Sequence, residues 1–158
     1  MRLFHRACAA VETLIRRIVT LLLVLMTVVI CYQVVLRYGF QSANIWAEEF
    51  ARYAFIWVVM LGSANALRNA QHIRIDFAVN ALPPAVRRAV EAFNLLLILG
   101  FLVALLVYGI DIAMRTGNQI SSGLGLPMSV MYMSIPISAA IMLLFAVELA
   151  LGRLRGEG

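Results

Sequence analysis

The side chains able to do chemistry stand in a few short clusters. The densest is Trp46-Ala47-Glu48-Glu49-Phe50-Ala51-Arg52-Tyr53, preceded by Arg37-Tyr38 and followed by Trp57, Gly62, Arg68, His72 and Asp76. Glu48 and Arg52 are spaced i,i+4 with the acid first, which on an exposed helix is worth only a few tenths of a kcal/mol. Spacing alone allows two readings of Glu48, Glu49 and Arg52: a solvated cluster at a membrane surface, or a polar interface to another protein. No spacing points to catalysis. The sequence holds no metal-ligand motif and no hydrolase elbow, so an enzyme is not expected and no cofactor is expected in this chain. Cys8 and Cys31 are 23 residues apart; on one helix they would be separated by roughly 34 Å, too far for a disulfide. Each reads as a small buried residue.

Composition sets the medium in which those clusters work. The chain has 158 residues, 63% hydrophobic and 13% charged, with a mean hydropathy of +0.93, whereas soluble domains average roughly 45–50% apolar and about 25% charged. A bilayer must replace much of the water. The net charge of +5 comes from 13 arginines and no lysine against 8 acids. The arginines fall between long apolar blocks and not along one face, which excludes a nucleic-acid partner and reads as membrane topology.

Uncharged stretches cover residues 18–36, 53–67, 92–110 and 116–147, and a spanning helix needs about 20 apolar residues. These stretches predict one all-α membrane domain over residues 1–158, with four spans at about 18–36, 47–68, 91–111 and 128–148. The second includes an amphipathic lead-in from Asn44, a plausible N-cap, to Arg52. The apolar run of the first exceeds a secretory h-region and no cleavage site follows, so it should stay in the mature protein. Counting arginines in alternate connecting segments gives ten against three, which places both termini and the segment 68–91 in the cytoplasm by the positive-inside rule. All five tyrosines and Trp46 fall near the predicted outer ends, as an aromatic belt would. Residues 72–82 alternate apolar and polar but also carry apolar residues at helical spacing; a short interfacial helix is preferred because a lone strand there would leave its backbone unpaired. Pro83 and Pro84 should open the third helix, and Pro136 should disturb the fourth near residues 132–136.

None of the four apolar cores contains Asp, Glu, Lys, Arg or His, which argues against ion pumps, proton-coupled carriers and haem anchors. Sodium, however, can be held by backbone carbonyls of broken helices. Gln33, Asn65 and Asn94 read as hydrogen-bonding contacts between helices, and Gly62 with Ala66 and Gly100 with Ala104 as points of close helix approach.

The ordered set Arg37-Tyr38, Glu49-x-x-Arg52-Tyr53, Trp57, Gly62, Arg68, His72-x-x-x-Asp76, Leu126-Pro127, Tyr132 and Pro136 resembles the small, DctQ-like membrane subunit of the tripartite ATP-independent periplasmic (TRAP) transporters, from about residue 34 to 136. The resemblance implies a bacterial inner-membrane assembly for sodium-driven uptake of organic acids. Its partners would be a large multi-span permease subunit carrying the Na+ and substrate sites, a periplasmic substrate-binding protein, and membrane lipid. The small subunit would be a scaffold that braces the large one and helps dock the binding protein. Carried over residue by residue, Arg37, Glu48, Glu49 and Arg52 would form an outer-surface interface, and Trp57 and Gly62 would pack within the membrane. Arg68 would anchor to headgroups or a partner carboxylate, and His72 and Asp76 would organise the cytoplasmic segment, with His72 equally readable as a surface histidine. The competing reading is a self-sufficient homo-oligomeric carrier or channel.

Overall fold

The computed structural model describes residues 2–41, 44–69 and 84–154. These residues form α1 (Arg2–Gly39), α2 (Ile45–Asn69), α3 (Pro84–Arg115), a single turn α4 (Ser129–Tyr132) and α5 (Ser134–Leu154), with no strand among them. Four stretches are long and apolar enough to cross a membrane: His5–Gly39, Ile45–Asn69, Ala92–Arg115 and Ser129–Ala150. The second is one continuous helix, amphipathic lead-in included. The interfacial helix expected over residues 72–82 lies outside the described residues, as do His72 and Asp76.

The helices do not close into a bundle. In space they run α1, α2, α5, α3: α1 packs on α2, α2 on α5 and α5 on α3, while α1 meets α5 only weakly. A layer one helix thick leaves most apolar side chains open on its two faces, among them Leu21, Val28, Phe55, Leu96, Phe101 and Val107. In water this surface would aggregate; in a bilayer it is covered by lipid tails or by another membrane protein. The small core runs across the layer and draws on all four long helices, with Cys8 and Ile15 from α1, Leu61 and Ala64 from α2, Leu102 from α3, and Met142, Phe145 and Ala146 from α5.

Proline 136 has the expected local effect. It has no amide proton for the Tyr132 carbonyl, and the helical pattern is interrupted at Met133, between α4 and α5. Ser134, fully buried, donates to the Met131 carbonyl at 2.7 Å. On the facing helix, a Cβ at Gly109 would lie 2.9 Å from Ile135 Cγ2 and 3.1 Å from Pro136 Cδ. Close approach therefore occurs at Gly109. Gly62 and Gly100, the expected contact points, have no atom of this chain within 4 Å of a built Cβ; the small-residue spacing is there, but it faces away from the neighbouring helices.

Candidate functional site

Two polar centres stand at opposite ends of the layer. At the end carrying the start of α1 and the ends of α2 and α5, Arg68 sits among three helices. Its Nε and Nη2 donate to Glu148 Oε2 and Oε1, each at 3.2 Å. Nη1 donates to Glu12 Oε2 and to the Cys8 carbonyl, the latter at 3.0 Å. The guanidinium also lies 5.2 Å from the centre of the Phe145 ring, within cation–π range. Asn69 donates to Glu12 Oε1 at 3.3 Å and His5 Nδ1 meets Glu148 Oε1. The Arg68 and Glu148 side chains are 10% and 11% exposed, and that of Glu12 23%. The planar fork of arginine is what lets one side chain satisfy two carboxylates at once. The chain itself thus supplies Arg68 with two carboxylates.

At the other end, Glu49 holds the segment between α3 and α4. Its Oε2 accepts from the backbone N–H of Gly123 at 2.6 Å and of Leu124 at 2.8 Å. The segment is closed on itself by Ser121 N–H donating to the Leu126 carbonyl at 2.9 Å and Met128 N–H donating to the Gln119 carbonyl at 2.8 Å. It turns at Gly125, whose φ of +66° suits glycine. A Cβ on Gly123 would fall 2.6 Å from Glu49 Oε2 and 3.0 Å from the Ile45 carbonyl oxygen, so glycine is required for the carboxylate to approach. Trp57, partly buried, donates its indole N–H to the Val130 carbonyl at 3.2 Å, joining α2 to α4. Glu49 and Trp57 therefore make contacts inside the chain.

The remaining members of the cluster stay open. Arg37, Glu48 and Arg52 are exposed, and among the described residues none of them forms an ion pair, the i,i+4 pair of Glu48 and Arg52 included. Asn65 bonds with Asn69 on its own helix and Asn94 is exposed, so neither links two helices. An apolar groove of about 440 Å³ between α3 and α5 is lined by Ile110, Met114, Met133, Pro136 and Ile137 with two alanines, and presents no reactive group. Among the described residues no cluster of His, Cys, Asp or Glu is arranged to hold a metal ion.

The Arg68 centre is not visible in the sequence. Glu12, Arg68 and Glu148 each flank an apolar stretch and read singly as edge charges. Gly123 was likewise hidden in a Gly/Ser-rich connection.

Comparison with known proteins gives a consistent answer. Residues 26–156 match the family described as tripartite ATP-independent periplasmic transporters, DctQ component. The chain is 27% identical over 135 residues to the sialic acid TRAP transporter small permease protein SiaQ of Vibrio cholerae, covering 85% of this chain and 78% of that one. It is 30% identical over 114 residues to the C4-dicarboxylate TRAP transporter small permease protein DctQ of Rhodobacter capsulatus, covering 68% of this chain and 48% of the relative. The sialic acid TRAP transporter permease protein SiaT of Haemophilus influenzae is 31% identical over 115 residues, 70% of this chain but only 18% of that longer protein. The chain thus spans less than half of the latter two relatives.

Proposed function

The chain belongs to the DctQ component family of the TRAP transporters, a multi-pass membrane protein by its four apolar helices, and on that premise we propose that it is the non-catalytic scaffold subunit of a sodium-coupled transporter for organic acids. It braces a large permease subunit, which holds the Na+ and substrate sites, and helps to dock a periplasmic substrate-binding protein. The observation that carries this reading is the disposition of charge in an open layer. Arg68, Glu12 and Glu148 are paired with one another at one end, Glu49 is engaged by a backbone turn at the other, and both faces between them are apolar. Such a layer suits bracing and offers no polar path across the membrane.

The arginine distribution supports an inner-membrane orientation with the Arg68 centre and both termini in the cytoplasm. The Glu49-held turn and exposed Arg37, Glu48 and Arg52 then face the periplasm, where a binding protein would arrive. The share of SiaT that matches, 18% of its length, supports a working arrangement in which this region operates beside a much larger permease portion. The relatives' names, for sialic acid and C4-dicarboxylates, support carboxylate-bearing substrates.

The test is reconstitution in liposomes under an imposed sodium gradient, with the binding protein and a panel of organic acids supplied outside. The large permease alone and this chain alone should give background uptake, and the two together should give accumulation. Full uptake by the large permease alone, or flux through this chain alone, would overturn the proposal, the latter in favour of a self-sufficient carrier.

A further inference from the structure

Between the end of α1 and the start of α2 lies a cleft of about 180 Å³ lined by Gln33, Arg37, Asn44, Ile45 and Glu48. That is the volume of roughly six liquid waters, room for a small polar group. Its chemistry is mixed in a specific way. It carries one guanidinium and one carboxylate, two neutral amides and a single aliphatic wall. Arg37 and Glu48 both line it, yet they form no ion pair with each other. A solvated surface pair that could meet would gain little by staying apart; a cleft that keeps its two charges separate suits a ligand that carries both signs itself.

Its depth narrows the choice. The Tyr32 and Trp46 rings flank the same helix ends with centroids 6.4 Å apart, and Tyr38, Phe40 and Ile45 are exposed beside them. Tyr and Trp gather at the headgroup level of a bilayer, so the cleft opens where the headgroups lie, whichever leaflet this is.

We propose that this cleft binds the headgroup of a zwitterionic phospholipid with a primary ammonium, the phosphate on Arg37 and the ammonium on Glu48. The amides of Gln33 and Asn44 supply further donors and acceptors to the phosphate and ammonium. An ammonium offers three N–H donors to a carboxylate, whereas a trimethylated choline offers none; an anionic glycerol headgroup offers no cation and would meet the Glu48 charge. The discrimination therefore lies with Glu48 and the general phosphate attraction with Arg37. This inference rests on the chain lying in a membrane and not on its role as a brace.

The test uses the full chain, purified in mild detergent with whatever remains bound to it, and then reconstituted in nanodiscs of phosphatidylcholine containing equal minor fractions of phosphatidylethanolamine and phosphatidylglycerol. Retained lipid is counted by native mass spectrometry, with helicity checked by circular dichroism. The wild type should retain phosphatidylethanolamine about five- to tenfold over either other lipid, a preference of the size expected for one charge-assisted hydrogen-bond set at a partly solvated site. Glu48→Gln should abolish the preference over phosphatidylcholine, and Arg37→Gln should reduce retention of every phospholipid. Arg115→Gln, which alters an exposed arginine outside the cleft, should change neither. Equal retention of the three lipids, or a preference indifferent to Glu48→Gln and Arg37→Gln, would overturn the assignment. So would a purified complex in which another protein's side chain fills the cleft and no lipid is retained.

Discussion

Replacing Arg68 tests the packing account at its most concentrated point. Arg68→Ala removes two hydrogen bonds to Glu148, one to Glu12 and one to the Cys8 carbonyl, and leaves two carboxylates facing each other where Glu148 is 11% and Glu12 23% exposed. Breaking one side of a buried pair costs about 3–5 kcal/mol, most of it from the charge left without a partner. Loss of the contact with the Phe145 ring adds to this. Arg68→Lys keeps the charge but loses the fork, and should cost roughly half as much. The decisive comparison is with Arg68→Met combined with Glu148→Met, which removes the more deeply buried carboxylate together with the guanidinium and leaves only the more exposed Glu12 unpaired, because replacing a buried pair by apolar side chains of similar volume is often neutral. That double variant should recover at least half of the loss. Reversible unfolding in mixed micelles, followed by the fluorescence of Trp46 and Trp57, gives the free energies. An Arg68→Ala variant within about 1 kcal/mol of the wild type, or a double variant less stable than the single one, would refute the claim that paired burial of charge holds the three helices together.

Gly123→Ala should speed amide exchange at Gly123 and Leu124 tenfold or more, since its Cβ displaces the Glu49 carboxylate; Glu49→Gln should do the same more mildly, and unchanged exchange in both would mean that the turn holds itself. Gly109→Ala should destabilise the chain by about 1–3 kcal/mol through overpacking against Pro136, whereas Gly100→Ala, in open space, should be neutral or stabilising by up to about 1 kcal/mol from helix propensity; equal costs in thermal unfolding would contradict the packing. For orientation, in a Cys31→Ala background an impermeant thiol reagent should label Ser122→Cys in spheroplasts and miss Ala10→Cys, both sites being exposed. The reverse pattern would invert the topology.

The extent to which these features could be read beforehand follows from the range of the interactions. The apolar runs mark the four long helices because spanning length is a local property of sequence, and Pro136 marks the interruption at Met133 for the same reason. The order α1, α2, α5, α3 was not legible, since side chains that are apolar all round give no preferred face. Gly62 and Ala66 carry the spacing for close packing but face outward, whereas Gly109 with Ala113 carries the same spacing and does pack; only the rotation of each helix against its neighbours decides which pair is used. The Arg68 centre joins positions 56 and 80 residues apart in sequence, so no window of sequence contains it. Glu48 and Glu49 are adjacent and fall in one cluster in the sequence, yet adjacent helical residues point in different directions. One reaches the turn at Gly123 and the other the cleft beside Arg37.

The most direct measurement of the central claim is the mass of the intact assembly. This chain, tagged in its native host and purified in mild detergent, should weigh as a one-to-one assembly with a large multi-span protein. A homo-oligomer without a larger partner would contradict the scaffold account, because a brace has nothing to do alone.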